Sequence, residues 1–110
     1  MANTFKNAVS SAIGTSQTSV YTVPASTTTI VIGLTVSNIT ASAITVDVVI
    51  TDTSGTTDMY LVKGATVPVG GALVPVGGDQ KVVLETTDII KVTSDTASSA
   101  DVIVSVLEQS

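Results

Sequence analysis

The chain has no cysteine, no histidine, no tryptophan and no arginine among its 110 residues. Without cysteine there are no disulfides and no thiolate metal sites; without histidine the usual general base and the commonest transition-metal ligand are missing. Nucleophilic triads built on either residue go with them. Aromatics are scarce: Phe5, Tyr21 and Tyr60 are the only three, so a stacking platform for sugars is poorly supplied. Charge is also sparse, at 12% of residues, and one-sided, with nine acids against four lysines for a formal net charge of −5. That balance repels phosphate backbones and anionic headgroups, which argues against nucleic acid and membrane surfaces as partners. No apolar run approaches the ~18 residues of a membrane span, and the first residues carry no apolar signal-peptide core. The expectation is a soluble, non-enzymatic chain with no secretory signal, no cofactor and no metal.

What the sequence does contain is a β composition. Hydrophobic residues make up 44% of the chain and are mostly Val, Ile, Leu and Ala, with Thr and Ser filling much of the rest. The length suits one domain, which on folding buries roughly 65% of the surface its unfolded chain exposes. Residues 30–50 organise the remainder. Ile30, Ile32, Leu34 and Val36 alternate on one face, and Ile44, Val46, Val48 and Ile50 repeat that two-residue period after a break. With a turn-tolerant connection at residues 38–43, the pair reads as a core hairpin.

Residues 1–18 differ in character. Phe5, Val9 and Ile13 recur at a spacing of four, but Gly14 and a Ser/Thr cluster stop any helix early, and so short a helix is marginal alone in water. This segment reads as an N-terminal arm that docks on its own or a neighbouring subunit, or frays, ahead of a β domain at residues 19–110. Residues 20–23 alternate as a strand ending at Pro24, and residues 51–58 form a polar loop around Gly55. Residues 58–63 resume the sheet. Residues 64–78, rich in Gly and carrying Pro68 and Pro75, divide into two edge pieces, 66–69 and 72–76. Strands at 81–84, 88–93 and 101–107 follow. In the last, Val102, Val104 and Val106 share one face and Ile103, Ser105 and Leu107 the other, so both faces have something to bury. Seven or eight short strands without a long helical period specify an all-β fold, a two-layer antiparallel β-sandwich of jelly-roll or immunoglobulin-like type, with a small β-barrel as the alternative.

Chemistry-bearing patterns are few. The carboxylate pairs closest in sequence are Asp52 with Asp58 and Glu85 with Asp88; all sit beside turn residues, where solvated carboxylates are ordinary. Residues 52–58 lack the ligand spacing of an EF-hand loop. Gly77-Gly78-Asp79 is not followed by the Lys-Ser or Lys-Thr of a phosphate loop, and Asn38-Ile39-Thr40 matches a glycosylation sequon that matters only on a secretory route.

Several landmarks recur together: Val20-Tyr21-Thr22-Val23-Pro24-Ala25 before the strand at 30–38, then Tyr60-Leu61-Val62-Lys63 before a Pro and Gly segment. Lys81-Val82-Val83-Leu84-Glu85 then leads to Asp88-Ile89-Ile90-Lys91-Val92, with a closing strand at 101–108. In this order, residues 20–108 resemble a small β domain found in virion proteins of tailed bacteriophages of marine and cyanobacterial type. Thr87 stands where that pattern often has Gly, and residues 1–18 have no counterpart in it. The resemblance implies a structural role in many copies on the virion. Its first form is a decoration or cement protein on the capsid surface that bridges subunits of the major capsid protein. The alternative is a neck, tail or fibre component acting as an adaptor or binding host glycan through Tyr21, Tyr60 and loop acids. The interface residues expected on this reading are Phe5, Val9 and Ile13 in the arm and Val67, Val69, Leu73 and Val76 on an exposed edge, self-packing being the other possibility. Closed symmetry about a capsid axis makes a homo-oligomer, trimer or dimer, the expected state.

Overall fold

The period-two apolar pattern produces nine strands and no helix among the described residues, which in this computed structural model are 2–53, 56–77 and 81–110. The strands are β1 (Asn3–Ile13), β2 (Thr18–Thr22), β3 (Thr28–Asn38), β4 (Ile44–Asp52), β5 (Thr57–Val67), β6 (Ala72–Val76), β7 (Val82–Leu84), β8 (Ile89–Ser94) and β9 (Ala100–Gln109). They form two antiparallel sheets. Sheet A runs β1-β9-β3-β6, with β7 also pairing β3, and sheet B runs β2-β8-β4-β5. The result is a two-layer β-sandwich. Gly78 and Asp79 of the glycine-rich triplet and Gly55 of the polar loop lie outside the described residues.

Valines and isoleucines from both inner faces fill the space between the layers. Val31, Leu34 and Val36 of β3 and Val102, Val104 and Val106 of β9 face Ile44, Val46, Val48 and Ile50 of β4 and Ile90 and Val92 of β8. All are buried. Branched aliphatics fit a pleated surface and give up little side-chain freedom there, which is why so aromatic-poor a chain still closes a core.

The strand expected at 58–63 and the edge piece expected at 66–69 are one strand, β5, which ends at Val67; beyond that, two expectations need correction. Residues 30–50 do not form a hairpin: β3 belongs to sheet A and β4 to sheet B, so the connection at 39–43 arches from one layer to the other. Asn38 makes the arch. Its buried side chain accepts the Thr40 N–H at 2.8 Å and donates to the carbonyls of Ser42 at 2.8 Å and Val67 at 3.0 Å, tying the bend to the end of β5. So placed, the sequon asparagine has no free amide to offer. The second correction concerns the face of β3. A register shift between Val31 and Gly33 changes the alternation, so Thr29 and Val31 point inward at one end and Leu34 and Val36 at the other, leaving Ile30 and Ile32 on the outer side.

Residues 3–13 are β1, paired along the length of β9 from Asn3 opposite Gln109 to Ser10 opposite Val102 without interruption. The arm segment is thus the edge strand of sheet A, docked on its own chain. Its four-residue spacing is even and suits a strand as well as a helix. The pairing slips between Ser10 and Ile13, where Ala12 adopts φ 54°, and this turns Ile13 into the core while Phe5 and Val9 stay outside.

Candidate functional site

Neither sheet has a covering layer on its outer face among the described residues, and on sheet A that face is largely apolar, with charge at its margin. Register aligns Phe5, Leu107, Ile30 and Val83 in one row across β1, β9, β3 and β7. A second row runs from Val9 to Ile103 and Thr35. Between them lies the small polar row of Asn7, Ser105 and Gly33, flanked by Ile32 in a shallow depression bordered by Phe5. Phe5 is 75% exposed, Val9 68%, Val83 63% and Ile103 43%. An antiparallel sheet with one solvated face ordinarily places polar residues there; this one places apolar rows. Four strands at ~4.8 Å spacing and the four-residue rise between the rows make the patch roughly 260 Å², close to the size of the largest apolar patch on an ordinary monomer, which is often functional. The acid at its margin, Asp101, is held in place by the Ala12 N–H, which donates to it at 3.0 Å.

The edge of this face is fastened from beneath. Lys6, on the inner side of β1, places Nζ 3.0 Å from Glu108 Oε1, while the Tyr21 hydroxyl donates to Glu108 Oε2 at 2.6 Å and lies 2.8 Å from Thr29 Oγ1. Glu108 is buried. The Tyr21 hydrogen bond, helped by Lys6, holds its carboxyl below the usual range, and burial together with the Glu108 carboxylate pushes the Tyr21 hydroxyl up to about 12. The cluster joins β1, β2, β3 and β9 at one end of the sandwich and fixes β1 against its neighbour.

The sequence-derived interface residues divide. Phe5, Val9 and Val69 are exposed and Leu73 is half-buried, but Ile13, Val67 and Val76 lie in the core and are used up by self-packing. The missed members of the face are Ile30, Val83, Ile103 and Leu107, of which Ile103 and Leu107 were visible as the second apolar face of the last strand. Tyr21 and Tyr60 do not converge. They sit on β2 and β5, the opposite edges of sheet B, with Tyr21 committed to Glu108 and the Lys63 ammonium lying 4.5 Å from the Tyr60 ring centroid.

The turn acids also rearrange. Asp52, Glu85 and Asp88 bring one carboxylate oxygen each within 4.8 Å of one another, whereas Asp58 turns away to accept the Thr51 hydroxyl at 2.8 Å. Asp88 acts as a loop clamp: it accepts the Glu85 N–H at 2.9 Å on one oxygen and the Thr53 N–H at 3.2 Å on the other. With both oxygens of its buried member engaged by N–H donors, the trio is a poor start on the six to eight oxygens that calcium takes. Set beside protein-family models, curated proteins and solved structures, the chain has no match.

Proposed function

We propose that this chain is a structural protein of a tailed-phage virion, a decoration or cement protein that lies on the capsid and bridges subunits of the major capsid protein. The observation that carries the reading is the largely apolar outer face of sheet A, with its acid Asp101 at the margin, a surface fit for burial in a protein of net charge −5. The order of landmarks over residues 20–108 supports the virion context. The division of labour in the fold supports the mechanism: sheet B and the core supply a rigid slab, the Lys6–Glu108–Tyr21 cluster locks the edge strand, and the outer face of sheet A is left for a partner. Each copy then contributes a few kcal/mol of interface after the cost of immobilisation, and repetition over a lattice multiplies that into resistance to internal pressure.

The test compares heads carrying the chain with heads lacking it. Bare heads are expected to release DNA at lower temperature and to fail sooner when divalent ions are chelated; equal resistance of the two particles refutes the cement role. Phe5→Ser and Val83→Ser proteins, folded but with a broken apolar row, are expected to lose binding to bare heads.

A further inference from the structure

The four exposed sheet edges are not equivalent. β2 is five residues long and its pairing slips between Ser19 and Tyr21. β5 pairs with two register shifts and carries Gly64 at φ 64°. The far edge of sheet A is split between short β6, which contains Pro75, and three-residue β7. Bulges, proline and shortness are the devices that keep edges from pairing with other chains. β1 has none of them over residues 3–10, which pair without interruption and contain no Pro, Gly, Asp or Glu. β1 itself carries no acid, and Glu108 on the neighbouring strand is paired with Lys6 at 3.0 Å, so two negatively charged copies meet at this edge without a bare carboxylate on the pairing strand.

We propose that β1 pairs antiparallel with β1 of a second copy about a two-fold axis through Asn7. In this register Phe5 of one copy faces Val9 of the other, Asn7 faces Asn7, and Lys6 faces Ala8. Of the three central registers it is the complementary one: centring on Lys6 sets two ammonium groups opposite each other, and centring on Ala8 sets Phe5 against Ser11 and Val9 against Asn7. Lys6, the one charge on β1, is half exposed but is held by Glu108 at 3.0 Å within its own chain, which draws its ammonium towards β9 and away from the free edge. Pairing satisfies the outward backbone groups of both strands in the manner of β-augmentation and gives an isologous contact. It also merges two apolar faces of roughly 260 Å² into one of about 520 Å². The inference concerns the free chain and does not depend on the virion reading.

Sedimentation of the wild-type chain is expected to show a species of twice the 11.0 kDa chain mass. Val9→Lys is expected to raise the monomer–dimer midpoint at least about tenfold, and an equimolar mixture of Val9→Lys and Phe5→Glu chains, whose new charges face each other across the axis, to restore the dimer. In a chain with no other thiol, Asn7→Cys is expected to oxidise to a covalent dimer under conditions where Thr66→Cys, on the exposed edge of sheet B, stays monomeric. A wild-type chain that remains a monomer at about 100 μM, far above a micromolar midpoint, overturns the proposal, as does a dimer indifferent to Val9→Lys. A monomer that still binds heads sinks self-pairing alone.

Discussion

At the scale of single residues the most informative group is Tyr21 with Glu108 and Lys6, because it ties edge strand β1 to the core through ionisable atoms. The Tyr21 hydroxyl is raised to about 12 in the folded chain, against ~10 unfolded, so the folded state favours its neutral form. That stabilisation is whole below pH ~10 and is lost as pH rises towards about 12. Glu108 is shifted the other way; its contribution is present above ~4.3, the unfolded value, and is lost as pH falls. Urea midpoints measured across pH are therefore expected to form a plateau with an alkaline and an acid shoulder. Tyr21→Phe should flatten the alkaline shoulder and weaken the acid one, since Tyr21 is the main holder of the Glu108 carboxylate; an unchanged alkaline limb contradicts the assignment. None of this is legible in the sequence. Tyr21 and Glu108 lie 87 positions apart, and nothing in their neighbours distinguishes a buried clasp from an exposed ring.

At the scale of elements, periodicity is a sound guide to which residues face inward and a poor one to which strand lies alongside. The β4 face of Ile44, Val46, Val48 and Ile50 is buried, as alternation predicts, and so is Val49 beside it, where the pairing with β5 slips. The hairpin between β3 and β4 is not there, since two strands with one apolar face each are satisfied equally by lying side by side or across from each other. The deciding group is Asn38, whose polar side chain gives no sequence sign of bonding to Val67. Bulges erase further information: one residue gained near Ile32 exchanges Ile30 for Val31 in the core, and another after Ser10 sends Ile13 inward. The glycines between β5 and β6 are legible, and testable. Gly70, at φ 70°, occupies a turn closed by the Gly71 N–H donating to the Pro68 carbonyl at 3.0 Å, so Gly70→Ala is expected to cost ~1 kcal/mol. A Cβ on Gly71 meets the Pro68 ring at 2.9 Å and its carbonyl oxygen at 3.2 Å, making Gly71→Ala the costlier change at ~1–3 kcal/mol. Gly33, where the nearest atom is 3.8 Å away, serves as the control, expected within ~0.5 kcal/mol of wild type. Urea denaturation ranks all three.

At the scale of the whole molecule, the sandwich is a slab of 45 × 26 × 22 Å with one apolar broad face. Because Phe5 and Val83 are largely exposed, replacing either with Ser is expected to leave the unfolding free energy from urea denaturation within ~0.5 kcal/mol of wild type while reducing binding of an apolar dye; a large loss of stability would show that the face is part of the fold and not spare surface. The pairing of β1 with β9 has one more outcome. Ala2 and Ser110 exchange both backbone hydrogen bonds at 3.0 Å, so residues 2 and 110 lie side by side at one corner. A peptide of a few residues can bridge them, and a circular permutant opened between Ser16 and Gln17 would turn the outermost strand into the second arm of a terminal hairpin, with its melting temperature expected to stay within a few degrees of the parent. Any cargo fused at either end would project from that single corner, clear of the opposite end of the slab.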